Sequence, residues 1–326
     1  MVVAKSPRLS FIIPVRDDAD SLACCLASIR LRTGDEPIEI IVGDNGSIDG
    51  SIEIARRAGA LVLEIPSRPV SQVRNLAVSE ARGELLAFVD ADHELVPGWV
   101  ESAISVFEDS SIVGAGAPYR APAPGTWVQR MYDRLRSHES GMREVDWLPG
   151  GNLVVRRAAF QKIGGFDGSL ETCEDVDLCQ RLKAAGGRLV ATDGMYSVHR
   201  GDPRTLRSLF FGELWRGRDN LRVTLRAPLT LRSLPSLAMP VVNLLGITAV
   251  LIGTATLRFG GAWFAGLGVT AVLALAILRS GMLLSRKDAG RSPTVLAQAL
   301  VVAAIFDTAR GLALVSRAGH TMRRKA

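Results

Sequence analysis

The chain has 326 residues, enough for one large domain or a domain with an appendage. Its formal net charge of +6 is unevenly spread: residues 1–199 carry 21 Lys+Arg against 28 Asp+Glu, and residues 200–326 carry 18 against 5. The basic rear half lies beside long apolar runs and carries no nucleic-acid fold signature, so anionic lipid is the expected partner and nucleic acid is not.

MVVAKSPRLS leads straight into a strand-like run with no signal peptide, which places the front half on the cytoplasmic side. Leu9–Val15 (LSFIIPV) reads as a buried strand. Asp17 to Ser21 offers helix N-caps, and Leu22, Leu26 and Ile29 follow at helical spacing. Ile38–Val42 is a second strand ending in the turn cluster GDNGS; Ile48, Ile52 and Ala55 mark a second helix. Ala60–Ile65 is a third strand, Val70–Ala81 a helix, and Leu85–Val89 a fourth strand ending in DADHE. Strands alternating with helices at short intervals predict an α/β fold with a mostly parallel sheet. Ligands in such sheets bind beyond the carboxyl ends of the strands, so Asp17, Asp44 and Asp90 are expected to face one crevice. Further on, Ala117–Gly125 is a Pro-rich loop and Asn152–Val155 a strand. Glu174–Ala185 is a helix stopped by Gly186-Gly187, and Arg188–Ala191 is a last strand leading to His199. Cys24, Cys25, Cys173 and Cys179 form no CxxC pair and read as free thiols, which speaks against a zinc site.

Three motifs carry candidate chemistry. Asp90 and Asp92 repel each other unless something positive sits between them. A hard divalent cation bound to a substrate diphosphate is one solution; acids at a helix start are the other. His93 reads as a loop residue, and His93 with Glu94 as the start of the next helix. Glu174, Asp175 and Asp177 open a helix, where capping accounts for one acid and a general base for another. Arg74 is either a phosphate partner or a surface arginine. No GxxxxGK[ST], HExxH or GxSxG is present.

Taken in order, SFIIPVRD (10–17), VGDNGSIDGS (42–51), VRN (73–75), FVDADHELVPGW (88–99), LPGGNLVVRRAAFQKIGGFD (148–167), CEDVDLCQRL (173–182) and His199 resemble a family 2 glycosyltransferase. The resemblance implies a GT-A fold, with a Rossmann-like, mixed and mostly parallel sheet, followed by an α-helical membrane region. It implies transfer of a sugar, with inversion, from a UDP- or GDP-sugar to a hydroxyl or lipid-phosphate acceptor, lipid-linked or glycan, with Mg²⁺ or Mn²⁺ as cofactor. Pro14, Asp17 and Asp44 would line the nucleoside pocket and Arg74 would lie near the nucleotide. Asp90 would approach ribose and metal, Asp92 would hold the metal, and His199 would contact the diphosphate or metal. Gly151 and Asn152 would border the donor sugar and acceptor. Asp175 would be the base, supported by Glu174. The absence of a QxxRW motif points to adding one sugar and not a long chain. A catalytically silent sugar-nucleotide-binding scaffold is the competing reading.

The expected organisation is a catalytic domain over 1–200, amphipathic interfacial helices over 201–235 with Arg204, Arg207, Arg216, Arg218, Arg222 and Arg226, and a membrane region over 236–326. Within the last, 241–257 and 261–278 are expected to span as a hairpin. The loop containing Arg286, Lys287 and Arg291 is placed inside. The helix over 293–316 is expected to be interfacial or re-entrant, because Asp307 and Arg310 make a full span costly and the tail Arg317, Arg323, Arg324 and Lys325 would then lie outside.

Overall fold

The computed structural model describes residues 6–34, 36–136, 140–228, 231, 233–285 and 292–316. Arg286, Lys287, Arg291 and the tail from Arg317 lie outside the described residues. The chain divides into two compact units, Met1–Pro122 with Arg136–Gly201, and Ala123–Leu135 with Asp202–Ala326. No motif signalled the excursion of Ala123–Leu135 into the second unit.

In chain order the elements are β1 (Leu9–Val15), α1 (Ala19–Arg32), β2 (Ile38–Asp44), α2 (Ser51–Arg57), β3 (Leu61–Glu64), α3 (Val70–Ser79), β4 (Leu85–Val89), β5 (His93–Leu95), α4 (Trp99–Val106) and β6 (Ile112–Gly116). Then come α5 (Trp127–Asp133), β7 (Met142–Glu144), β8 (Asn152–Arg156), α6 (Arg157–Lys162), α7 (Glu174–Ala184), β9 (Arg188–Thr192) and β10 (Ser197–His199). The chain ends with α8 (Leu206–Arg216), α9 (Asn220–Thr224), α10 (Leu234–Ala255), α11 (Ala262–Leu284) and α12 (Pro293–Ala313).

The first unit is built on an eight-stranded sheet of order β3-β2-β1-β4-β8-β6-β9-β7. β1, β2, β3 and β4 are mutually parallel, and β6 is parallel to β9. β8 runs antiparallel to both β4 and β6, and β7 antiparallel to β9. The antiparallel β8 is what turns a doubly wound sheet into a mixed one. Its first residue, Asn152, stands opposite Val89, so the loop before it reaches the carboxyl end of β4. The parallel strands read as near-continuous apolar runs because helices cover both faces. Leu22, Leu26, Ile29, Trp99 and Val100 from α1 and α4 pack on one side, and Phe160, Phe166, Leu178 and Leu182 on the other. Phe88, Phe160 and Phe166 form a ring cluster with centroids 5.0–5.5 Å apart, a geometry that adds to simple burial.

One expectation is corrected here. His93 and Glu94 do not begin the following helix: α4 starts at Trp99, after Gly98 in a left-handed conformation. His93–Leu95 is instead a short strand paired antiparallel with Ser197–His199.

In the second unit α10 and α11 form an antiparallel hairpin. Its close approach depends on small residues: a Cβ added to Gly268 would lie 2.8 Å from Val250 N, and one on Gly253 would lie 2.7 Å from Gly261 O. α10, α11 and α12 are each long and apolar enough to cross a membrane. α12 ends three residues short of the expected 293–316 and carries Asp307 and Arg310 within it, both of them partnered. Arg279 Nε donates to Asp307 Oδ1 at 2.7 Å, and Arg310 Nε to Glu213 Oε2 at 2.7 Å. Glu213 Oε1 also accepts from Tyr132 Oη at 2.6 Å and Arg216 Nη1 at 2.9 Å. Arg216, read as part of a lipid-facing basic stripe, is therefore turned onto a buried carboxylate.

Candidate active site

β1, β2 and β4 end at the same edge of the sheet, and each is followed by an acid. At the end of β1 the backbone turns through Asp17 at φ +51°, a left-handed conformation that Asp tolerates better than bulkier residues. Asp17 Oδ1 accepts from Ile48 N–H at 2.8 Å, and Asp17 N–H donates to Ser47 Oγ at 3.0 Å. Asp44 Oδ2 accepts from Gly46 N–H and Ser47 N–H, both at 3.0 Å. Its Oδ1 is buried with no protein partner, in a residue that is almost wholly enclosed. A buried carboxylate oxygen in that state is costly unless a ligand donor reaches it. Pro14 is half-buried on β1 beside Gly43 of β2.

Arg74 is 2% exposed, which removes the surface reading. α3 holds it so that Nη2 donates to Asp90 Oδ1 and Nη1 to Glu174 Oε1, each at 2.7 Å. The guanidinium thus ties the first acid of DAD to the first acid of ED, itself reaching 100 residues along the sequence to Glu174. Its pKa is raised further above the ordinary arginine range because Asp90 and Glu174 outweigh burial. α3 is itself pinned to the loop after α6: Asn75 Nδ2 donates to Phe166 O at 2.8 Å, and Phe166 N–H to Asn75 Oδ1 at 2.9 Å.

One guanidinium does not neutralise three carboxyl groups. Burial, with Asp175 next to it, pushes Glu174 up to about 7 against the pull of Arg74. Burial likewise raises Asp175, whose Oδ2 accepts from Gly150 N–H at 2.9 Å and Oδ1 from Val176 N–H at 2.8 Å. Asp177, third acid of the run, is a structural residue; its Oδ2 accepts from Arg181 Nε at 2.8 Å, an i,i+4 pair.

The turn Gly150-Gly151 stands between the acids. A Cβ at Gly150 would lie 3.2 Å from both Arg74 Nη1 and Asp175 Cβ; one at Gly151 would lie 2.5 Å from Asp90 Oδ2 and 3.0 Å from His93 Nε2. Two adjacent glycines therefore carry Asp175 on one flank and Asp90 with His93 on the other. Asn152 behaves differently from its expected role at the donor sugar. Its side chain is fully buried and spent on the scaffold, donating to Ala117 O and Met195 O at 3.0 and 2.7 Å and accepting from Trp99 Nε1 at 3.0 Å. With its hydrogen bonds committed, it fixes the loop's position and offers its side chain to no sugar.

The β5–β10 ribbon completes the site. His93 and His199 are directly opposite in register, so their side chains share one face, with ring centroids 4.7 Å apart. Asp92 Oδ2 lies 3.1 Å from His199 Nε2, and Asp92 Oδ1 4.0 Å from His93 Nε2. Ser197 Oγ is 2.8 Å from His93 Nδ1, which fixes the ring and leaves Nε2 aimed at Asp92. Burial, then the neighbouring His199, lowers the His93 pKa to about 4, so its imidazole is neutral at ordinary pH. One ligand atom from each of Asp92, His93 and His199 falls within 4.8 Å of the others, the group among the described residues suited to a metal ion. A carboxylate with two imidazole groups is a chemically sound donor set for a divalent cation, and imidazole nitrogen suits Mn²⁺ better than the oxygen-seeking Mg²⁺. Asp90, expected to share the metal, stands outside this group with Oδ1 bound to Arg74. His93, which reads from the sequence as a loop residue sooner than a ligand, stands in this group directly after DAD.

The twisted mixed sheet, the acids at its carboxyl edge and the Asp–His–His group define the GT-A class of nucleotide-sugar-dependent transferases. Residues 10–164 match the family described as glycosyl transferase family 2. The chain is 27% identical to the glycosyltransferase AglE of Haloferax volcanii, over 72% of this chain and 79% of that one. It is 27% identical to the succinoglycan biosynthesis protein ExoA of Rhizobium meliloti, over 78% and 84%. To the pre-mycofactocin glycosyltransferase of Mycobacterium tuberculosis it is 29% identical over 56% of this chain, but this spans only 40% of that relative. Among solved structures, a mannosyltransferase from Pyrobaculum calidifontis in complex with GDP-Man and Mn²⁺ matches 93% of this chain and 87% of its own with a TM-score of 0.56; at 18% identity this is a likeness of fold. The protein is a glycosyltransferase that uses a nucleotide-sugar donor.

Proposed function

We propose that the chain transfers one sugar, with inversion, from a UDP- or GDP-sugar to a hydroxyl or lipid-phosphate acceptor at a membrane, using a divalent cation, Mn²⁺ in preference to Mg²⁺. The observation that carries this is the Gly150-Gly151 turn, which brings Asp175 within the span of two residues from Asp90 and the histidine ribbon. Asp92, His93 and His199 would hold the cation. When bound, a divalent cation offsets the negative charge growing on the departing diphosphate.

The side chains have separable tasks. Asp44 Oδ1, buried without a protein partner, would accept from the nucleoside, with Asp17 and Pro14 beside it. Asp90, held by Arg74, would face the ribose. Asp175 would take the proton of an acceptor hydroxyl as its oxygen bonds to the anomeric carbon and the carbon–diphosphate bond breaks. Attack by that oxygen on the face opposite the departing diphosphate is a single displacement, hence inversion. A lipid phosphate is already ionised and needs no such base. Gly151 leaves open the space beside Asp90 that any side chain would fill.

A thermal-shift screen of UDP-, GDP- and dTDP-sugars with Mn²⁺ or Mg²⁺ tests the donor, since a ligand of the folded state must stabilise it. Stabilisation by one donor with Mn²⁺, followed by release of its nucleoside diphosphate in the presence of acceptor, supports the proposal. Binding with no release for any hydroxyl or lipid-phosphate acceptor favours the silent scaffold instead.

A further inference from the structure

The neighbours of α12 gather at one end of the α10–α11 hairpin. The closed end of the hairpin lies where Gly253 of α10 meets Gly261 and Ala265 of α11. α12 meets the other, open end along its length. Ala299, Val302 and Ala303 share an apolar cluster with Leu283 of α11, and with Val128, Met131 and Leu209 of α5 and α8. Asp307 receives Arg279, whose guanidinium lies 4.5 Å over the Phe306 ring. A Cβ on Gly311 would lie 3.0 Å from Asn243 Oδ1 and 3.2 Å from Leu244 N and Pro240 O. Ala309 and Ala313 cluster with Leu214 of α8.

The hairpin residues in these contacts fall within 240–244, in the first half of α10, or 279–283 near the end of α11. A 21-residue helix is about 31 Å long, enough to cross the hydrocarbon core. Had α12 crossed alongside the hairpin, one of its ends would pack near 250–265. Charge points the same way. A spanning α12 would carry Asp307 and Arg310 into the bilayer, and Arg310 would draw Glu213 with it.

We infer that α12 lies across the open end of the hairpin as a membrane-surface helix, with Leu296, Leu300 and Val301 facing the acyl boundary of the lipid, and is not a third span. These three side chains are exposed in the first half of the helix, where Ala299, Val302 and Ala303 are buried, so this half offers apolar surface to lipid as well as to protein. The inference rests on α10 and α11 being the spans. With two crossings, Val315 lies on the same side of the membrane as Cys24, which precedes every apolar helix.

Two cysteine variants of the full chain test this in sealed vesicles with a membrane-impermeant PEG-maleimide, counting added masses. Val315 is 67% exposed and Phe259, at the hairpin turn, 89% exposed. In vesicles whose native Cys24 reacts, Val315→Cys is expected to add one mass and Phe259→Cys none. Labelling of Val315→Cys only in vesicles where Phe259→Cys also reacts, or only after detergent, overturns the inference. Labelling of Phe259→Cys together with Cys24 would show that the hairpin does not span, and overturns the premise separately. A spin label on Leu300→Cys is expected to sit shallower than one on Leu273→Cys at the middle of α11; equal depth excludes a surface helix.

Discussion

The two units each bury an ion cluster, and the clusters are mirror images in charge. In the first, one guanidinium, Arg74, serves two carboxylates, Asp90 and Glu174, with Asp175 close by. In the second, one carboxylate, Glu213, serves two guanidinium groups, Arg216 and Arg310, with Tyr132 as a third donor. Burial opposes the charged form of both glutamates. At Glu213 the two arginines overcome it and bring the pKa down to about 2; at Glu174 a single arginine does not, and the pKa stands at about 7. The difference separates a structural cluster from a reactive one. Glu213 is satisfied by the protein alone, whereas the acids around Arg74 retain a shortage of positive charge that a metal-bound substrate can supply.

The sharpest way to break this contrast is to remove the proposed base. Asp175→Asn is expected to lower transfer to hydroxyl acceptors by about 10²- to 10⁴-fold, with the thermal midpoint nearly unchanged. Radiolabelled sugar transfer checks it. Undiminished turnover of a lipid-phosphate acceptor by the same variant would assign the acceptor class.

Glu213→Ala removes the buried carboxylate that the half-buried Arg216 and Arg310 share, and is expected to cost roughly 3–5 kcal/mol of stability while donor binding per folded molecule is retained. Urea titration in detergent, read beside donor binding, measures both. The wild type has a related pH signature. Because the folded pKa of Glu213 is depressed, its contribution is present above the ordinary glutamate range and is lost as pH falls toward about 2.

His93→Asn preserves a polar partner for Ser197 but removes the imidazole. It is expected to weaken Mn²⁺ binding by about 10- to 100-fold, a loss of the size seen when metal-site groups are removed. Titration of free Mn²⁺ by electron paramagnetic resonance reads this without turnover, and unchanged affinity would leave the metal to Asp92 and His199.

The smallest expected change is in the pH profile. Activity should rise with pH through a limb near 7, as Glu174 loses its proton beside Asp175, whose own pKa burial raises. Removing the neighbouring charge in Glu174→Gln should shift that limb toward lower pH. A limb that stays in place would detach Glu174 from the base.

Much of the catalytic unit was legible because its signals are local. Apolar runs of strand length, helical spacing after each, and an acid at the end of β1, β2 and β4 place Asp17, Asp44 and Asp90 at one edge through topology alone. The acids opening α7 are likewise a short-range pattern. Partnership was not legible. Nothing near Arg74 announces that it joins Asp90 to Glu174, and Asn152 looks like a site residue until Ala117, Met195 and Trp99 are seen to use all of its side chain. His93 reads as a loop residue until β10 arrives beside it.

The sequence by itself determined the first four strands and the helices between them, the acidic edge of the sheet and the apolar hairpin that follows, because periodicity, hydropathy and turn chemistry act over a few residues. Only the tertiary structure decided which charges compensate one another. The register of His93 against His199 and the bridge from Arg74 to Glu174 join residues about a hundred positions apart, and the balance of burial against partner charge that separates Glu174 from Glu213 exists only once those partners are packed together.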